Sequence, residues 1–262
     1  MLRPGTSSFF VLAFAFTWGL QLPAVVFGDR LLPLAVLGIF GPLAAATLLT
    51  ARAEGGPGVR GLYARLLPQR RQWAWYLLAL LLPASLLALM LSGMRVAGYR
   101  GDVVLNRGAA TLVIGCIVSV AEEVGWRGYA LPRLRARFGA VAGAAILGVV
   151  WLVWHVPMFL GQRVPLSLMF VMSLMFVGGS FMFAWLDART SGSLFVAVVA
   201  HLGLHLNNSH VALPADVLPL LCHTIVFGTI GVAVVMFDRR AFPEVAARSA
   251  LRERQAAPPT GA

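Results

Sequence analysis

The sequence predicts an all-α fold: a polytopic integral membrane helix bundle with about eight transmembrane helices. Three observations carry that expectation. Hydrophobic residues make up 59% of the chain and charged residues only 12%, a balance foreign to soluble domains and to disordered chains. Mean hydropathy is +0.82. The apolar residues also gather into runs of about 17–25, the length that crosses a hydrocarbon core of roughly 30 Å.

In chain order the runs fall at 7–27, 31–50, 73–93, 109–136, 141–160, 164–187, 193–210 and 217–237. The first lacks a strongly basic leader and an A-x-A cleavage site, so it reads as a retained span rather than a signal peptide. Only "GDRLLP" separates it from the second. The fourth carries Glu122, Glu123 and Arg127, the fifth carries His155, and the seventh carries His201, His205 and His210. Two units result: a helical bundle over 1–238 and a basic cytoplasmic tail over 239–262, whose "ARSALRERQAAPPTGA" has the composition of a disordered end.

The net charge of +11 comes from arginine alone, since the chain has no lysine. The arginines lie between apolar runs, where they set topology and meet anionic lipid; no nucleic-acid partner is expected. With both termini cytoplasmic, fifteen arginines fall inside and five outside, leaving Arg127 within a span. That asymmetry obeys the positive-inside rule. All-arginine basicity with abundant Ala, Leu and Val fits a GC-rich bacterial coding sequence, so a bacterial cytoplasmic membrane is the expected location. Cys116 and Cys222 read as buried small residues, not a disulfide.

Ionised side chains at bilayer depth cost roughly 2.5–3.5 kcal/mol each on insertion scales, so they mark function. Measured from the cytoplasmic helix ends at ~1.5 Å per residue, Glu122 lies about 20 Å deep, His155 about 21 Å and His201 about 15 Å. Three helices thus bring polar groups to one level. Glu123 and Arg127 stand four residues apart and share a helix face, as do His201 and His205. Gly125, Gly128 and Gly203 leave room for close helix approach, and Pro157 loosens the helix beside His155.

Two chemistries use such a set. A carboxylate and a histidine converging on water make a general base, while a second histidine or an asparagine stabilises an oxyanion. The same residues, Glu122, His155, His201 and His205, also form a candidate zinc (Zn2+) site that keeps one position for water. Ser119 and Cys116 lack a base at helical spacing. A purely structural Glu123–Arg127 ion pair is the alternative for that pair. His210 and His223 are expected at the interface, and the tryptophans as packing or interface anchors.

"EEVGWR" at 122–127 resembles the E-E-x-x-x-R motif of the CPBP family of intramembrane proteases, which includes CAAX prenyl endopeptidases and bacterial Abi-type homologues. "WLVWH" at 151–155 resembles the second motif, with Trp151 where Phe is commoner. "RTSGSLFVAVVAHLGLH" resembles the third, with His205 standing at the position of the family's Asn; the nearest asparagines are Asn207 and Asn208. The likeness covers about 119–208. It implies an intramembrane endopeptidase acting on a peptide or lipidated protein near its C-terminus, within the lipid bilayer. It further implies catalytic roles for Glu122, Glu123, Arg127, His155, His201 and His205. Glu122 and His155 would activate water, His201 and its i+4 partner would hold the oxyanion, and Glu123 with Arg127 would hold the helix and a substrate carboxylate. A metalloprotease with zinc and a metal-independent glutamate-activated water both remain open. Outside the resemblance, a proton-coupled transporter and a non-catalytic membrane scaffold or immunity protein are the competing classes; the absence of an inverted repeat speaks against the transporter.

Overall fold

A computed structural model of the chain describes residues 4–100, 108–207, 217–238 and 240–243. Asn208, His210 and most of the 239–262 tail lie outside the described residues. The described elements are helical throughout: α1 Pro4–Phe27, α2 Leu32–Gly38, α3 Gly41–Ala64, α4 Trp73–Val96, α5 Ala109–Gly125, α6 Leu131–Trp154, α7 Val156–Gly161, α8 Leu166–Arg189, α9 Leu194–Asn207 and α10 Val217–Phe237. A π-helical turn, Trp126–Ala130, joins α5 to α6.

Five helical stretches are long and apolar enough to cross a membrane, and the bent pair α2–α3 makes six. The expected all-α membrane bundle is therefore present, but the eight predicted spans are redistributed. The second is α2 and the first part of α3, bent by 44°, because helix α2 is closed at Ile39 and Pro42 starts α3. The fourth and fifth run together in one helical stretch, Ala109–Gly161, of 53 residues, and their predicted division between 136 and 141 falls at its break. Straight, the stretch would run about 80 Å. Instead Gly139 takes φ 85 and ψ 170, a backbone state open to glycine without a Cβ penalty. The chain folds back there: a Cβ on Gly143 would stand 2.9 Å from the backbone N of Arg135. The seventh, α9, has 14 residues, about 21 Å, and is short for a full crossing.

Helix α8 packs against α6 on one side and α10 on the other, α9 lies between α4 and α5, and α1 rests on α2 and α3. The centre holds large side chains with almost no exposure: Trp126, Arg127, Phe183, Leu147 and Leu186. The outer faces carry bare apolar residues such as Phe170 and Ile225, as a lipid-facing surface requires. Cys116 lies on such a face of α5 and is exposed, a correction to its expected burial, and it forms no disulfide with the half-buried Cys222.

The α8–α10 crossing depends on Gly178, where an added Cβ would fall 2.1 Å from the carbonyl oxygen of Phe227. Backbone is in the way, not a movable side chain. Gly178→Leu is expected to force the helices apart and cost at least about 1–3 kcal/mol, read as a lowered Tm in detergent.

Beyond α10 the chain turns back, and Asp238 accepts hydrogen bonds from Trp185 Nε1 at 2.8 Å and from the amides of Arg240 and Ala241. Burial alone would raise the Asp238 carboxyl, but these bonds and Arg189 hold it below its ordinary value. Its stabilising effect is thus complete above the usual carboxylate range and is lost as pH falls through its own, lower value. Asp238→Asn is expected to lower Tm at neutral pH, with the gap from wild type closing on acidification.

Candidate active site

Two adjacent carboxylates on one helix point about 100° apart, yet both are buried, Glu122 at 2% and Glu123 at 0% exposure. The C-terminal end of α5 is enclosed, with every residue from Ala121 to Gly125 buried, so both directions meet protein. Gly125 lets α5 press against Pro42 of α3, where a Cβ would come 2.4 Å from the ring carbon. Gly128 and Gly203 likewise face Leu62 and Pro83 closely, as the sequence led us to expect.

Glu123 Oε1 accepts from Arg127 Nη1 at 2.8 Å and from His201 Nδ1 at 2.7 Å. The predicted Glu123–Arg127 pair is therefore present, and a helix 78 residues further on joins it. Arg127 is 1% exposed. Its guanidinium lies between the Phe183 ring at 4.1 Å and the Trp151 ring at 4.6 Å, contacts that offset part of its desolvation.

Glu122 Oε2 accepts from Trp151 Nε1 at 2.7 Å. Trp151 thus does more than pack. Its carbonyl accepts from His155 Nδ1 at 2.8 Å, and because a carbonyl only accepts, Nδ1 carries the proton and Nε2 is left as a lone pair. His155 stands at the corner between α6 and α7, two residues before Pro157, whose ring starts α7. Phe176 and Trp154 flank its ring at 5.0 and 4.7 Å.

His201 and His205 stack with rings 5.0 Å apart and 6° from parallel. His205 Nε2 is buried and has no protein partner, as do Glu123 Oε2 and Arg127 Nε and Nη2. His155, His201, His205, Asn207 and Trp151 line one cavity of about 180 Å³. Glu122, Glu123 and Arg127 stand behind that lining. His223, expected at the interface, also lines this cavity from α10, which packs against both α4 and α8.

Among the described residues, no three His, Cys, Asp or Glu side chains converge as a metal-ligand set. Glu122 Oε2 is taken by Trp151 Nε1, while the bonds at Nδ1 of His155 and His201 leave both Nε2 atoms unengaged by those partners. As placed, Glu122, His155, His201 and His205 are not gathered as a tetrahedral zinc-ligand set.

Sequence reasoning missed two features. Trp151 was assigned to packing, although a buried indole N–H needs an acceptor and Glu122 needed a partner. Arg65 was counted only toward topology. It donates to the carbonyls of Gly128 at 2.9 Å, Arg127 at 3.3 Å and Gly192 at 2.7 Å, and pairs with the buried Asp187 at 3.4 Å. No local spacing links position 65 to 127, so no sequence signal was available. Burial pulls the Arg65 guanidinium below its ordinary value, and Asp187 opposes that pull.

An intramembrane site of buried carboxylates and imidazoles on an all-α bundle is the class that fold and geometry define. Residues 104–207 match the family described as Type II CAAX prenyl endopeptidase Rce1-like. A curated relative, CAAX prenyl protease 2 of Methanococcus maripaludis, is 25% identical over 138 residues, 49% of this chain and 49% of its own. The chain therefore spans about half the length of the relative it matches.

Glu123→Ala would strand Arg127 without its carboxylate, and breaking a buried pair costs about 3–5 kcal/mol. Glu122→Gln keeps an oxygen for Trp151 Nε1. Thermal unfolding in micelles is expected to show a large loss for the first variant and near-wild-type Tm for the second.

Proposed function

We propose that the chain is an intramembrane endopeptidase that hydrolyses a peptide bond near the C-terminus of a membrane-associated or lipidated peptide, entering from the cytoplasmic side. The observation that carries this reading is the convergence of His155, His201 and His205 on one cavity, backed by two buried carboxylates. Similarity to the CAAX prenyl protease of Methanococcus maripaludis supports a C-terminal peptide substrate. The apolar cavity wall of Leu86, Leu87 and Phe227 suits an apolar residue or lipid chain beside the scissile bond.

In this reading Trp151 fixes Oε2 of Glu122, and Oε1 takes a water that His155 Nε2 helps to orient. Glu122 removes the water proton as the oxygen bonds to the carbonyl carbon, then passes that proton to the leaving amine as the C–N bond breaks. His205 donates Nε2–H to the developing oxyanion, in the place where the family carries Asn. His201, held by Glu123, lies parallel to His205 and shares that charge. Glu123 and Arg127 are positioning residues here. Both termini are cytoplasmic, in a bacterial cytoplasmic membrane. His205 in the Asn position also suits a non-catalytic scaffold, which the same experiment separates.

The test is cleavage of a quenched fluorogenic peptide library with farnesylated members by the protein in lipid. Glu122→Gln is expected to lower kcat about 10²–10⁴-fold, the range of a lost general base, with Tm unchanged. His205→Asn is expected to retain cleavage, while His205→Leu loses about 10²–10³-fold, as for a missing oxyanion donor. Inclusion of a chelator tests metal dependence directly. A folded wild type that cleaves nothing would leave the scaffold reading.

A further inference from the structure

A second cavity, of about 570 Å³, opens at the far end of the bundle, lined by Arg65, Arg135, Arg240, Asp187 and Ser191 among others. His223, in the first cavity, lies 14 residues before Phe237, the end of α10, roughly 21 Å along the helix, and Arg240 lies in the turn beyond it. The two cavities are distinct. Four chain segments build the second: the end of α3, the fold-back at Gly139, the α8–α9 turn and the turn after α10. Phe242, fully buried against Phe181, anchors that last turn and carries Arg240 over the opening.

The charge balance is lopsided. Asp187, 3% exposed, accepts from Arg65 and from Arg135 at 3.1 Å, and with Arg240 the lining holds three guanidiniums to one carboxylate. Arg135 keeps 41% of its side chain exposed. Guanidinium forks suit phosphate oxygens, two N–H groups to two oxygens. The level in the membrane is marked independently. Trp75 and Trp185 meet edge to face at 5.5 Å and Arg189 lies over Trp75, beside the exposed Trp73 at the start of α4. Aromatic and arginine side chains gather in this way at headgroup depth.

The geometry points to a phosphate-binding site in this cavity, occupied by the headgroup phosphate of an anionic phospholipid. A basic pocket between helix ends at the interface is the general form of such sites. The assignment does not rest on the peptidase reading.

The experiment uses the full chain in micelles with phosphatidylglycerol or phosphatidylcholine of matched acyl chains, counting retained lipid by native mass spectrometry. Wild type is expected to retain phosphatidylglycerol in preference. In the double variant Arg135→Gln/Arg240→Gln that retention falls about thirtyfold, about fivefold for each arginine neutralised. Both side chains are at the surface, and a Tm within the wild-type range confirms folding. Glycerol phosphate identifies the source: failure to displace the lipid supports a bilayer occupant, whereas displacement overturns the lipid and assigns the site to soluble phosphate esters. Equal retention of both lipids by wild type, or unchanged retention by the folded double variant, overturns the site itself.

Discussion

One oxygen atom, Oε1 of Glu123, receives both the Arg127 guanidinium and the His201 imidazole, and the interior is arranged around that meeting. A charge taken out of water costs several kcal/mol even after relaxation, and the cost is recovered only with a close partner and good geometry. Neither Glu123 nor Arg127 is affordable alone at 0% and 1% exposure. Together, with Phe183 and Trp151 on the guanidinium faces, they make a buried pair that a third helix can join. His201 is thereby held in one orientation by a carboxylate on its far nitrogen, the device by which proteins commonly set an imidazole's direction and tautomer.

The neighbouring structure serves this contact. The π-helical turn over Trp126–Ala130 widens the backbone where Arg127 doubles back to Glu123, and Arg65 takes up the carbonyls of Arg127 and Gly128 from outside. On the other flank Trp154 Nε1 donates to Thr17 Oγ1, which donates in turn to Gly38 O. The peripheral helix α1 thus steadies the end of α6, next to His155. The polar atoms left without protein partners, Glu123 Oε2 and His205 Nε2 among them, belong to the same region, and buried polar groups without partners call for water or ligand.

Much of this was legible in the sequence because it was written in local terms. A four-residue spacing places Glu123 on Arg127 and His201 beside His205, and counted depth alone brought α5, α6 and α9 to one level. What escaped was non-local or a matter of direction. That Glu123 reaches His201 while Glu122 reaches Trp151 depends on how α5 is rotated against its neighbours, and periodicity leaves that angle free. The gap between the fourth and fifth runs, 137–140, is where Gly139 reverses the chain, but run lengths did not show that α9 carries its polar residues in fewer turns than a full crossing needs. That His223 lines the cavity was hidden for the same reason, since the facing of α10 is set by Gly178 meeting Phe227.

The fold-back at Gly139 also bears on the order in which the molecule is made. Glu122 and Trp151 sit on the two arms of one helical hairpin, so the link between them closes within a stretch of chain synthesised together. His201 is made about 50 residues later, after α8. Until then the nascent bundle holds a carboxylate and a guanidinium that already balance each other, and a polar seam waits for an imidazole rather than for a charge. The last helices can therefore enter a partly built membrane protein as nearly neutral segments, and the meeting of Glu123, Arg127 and His201 exists only once the chain is almost finished.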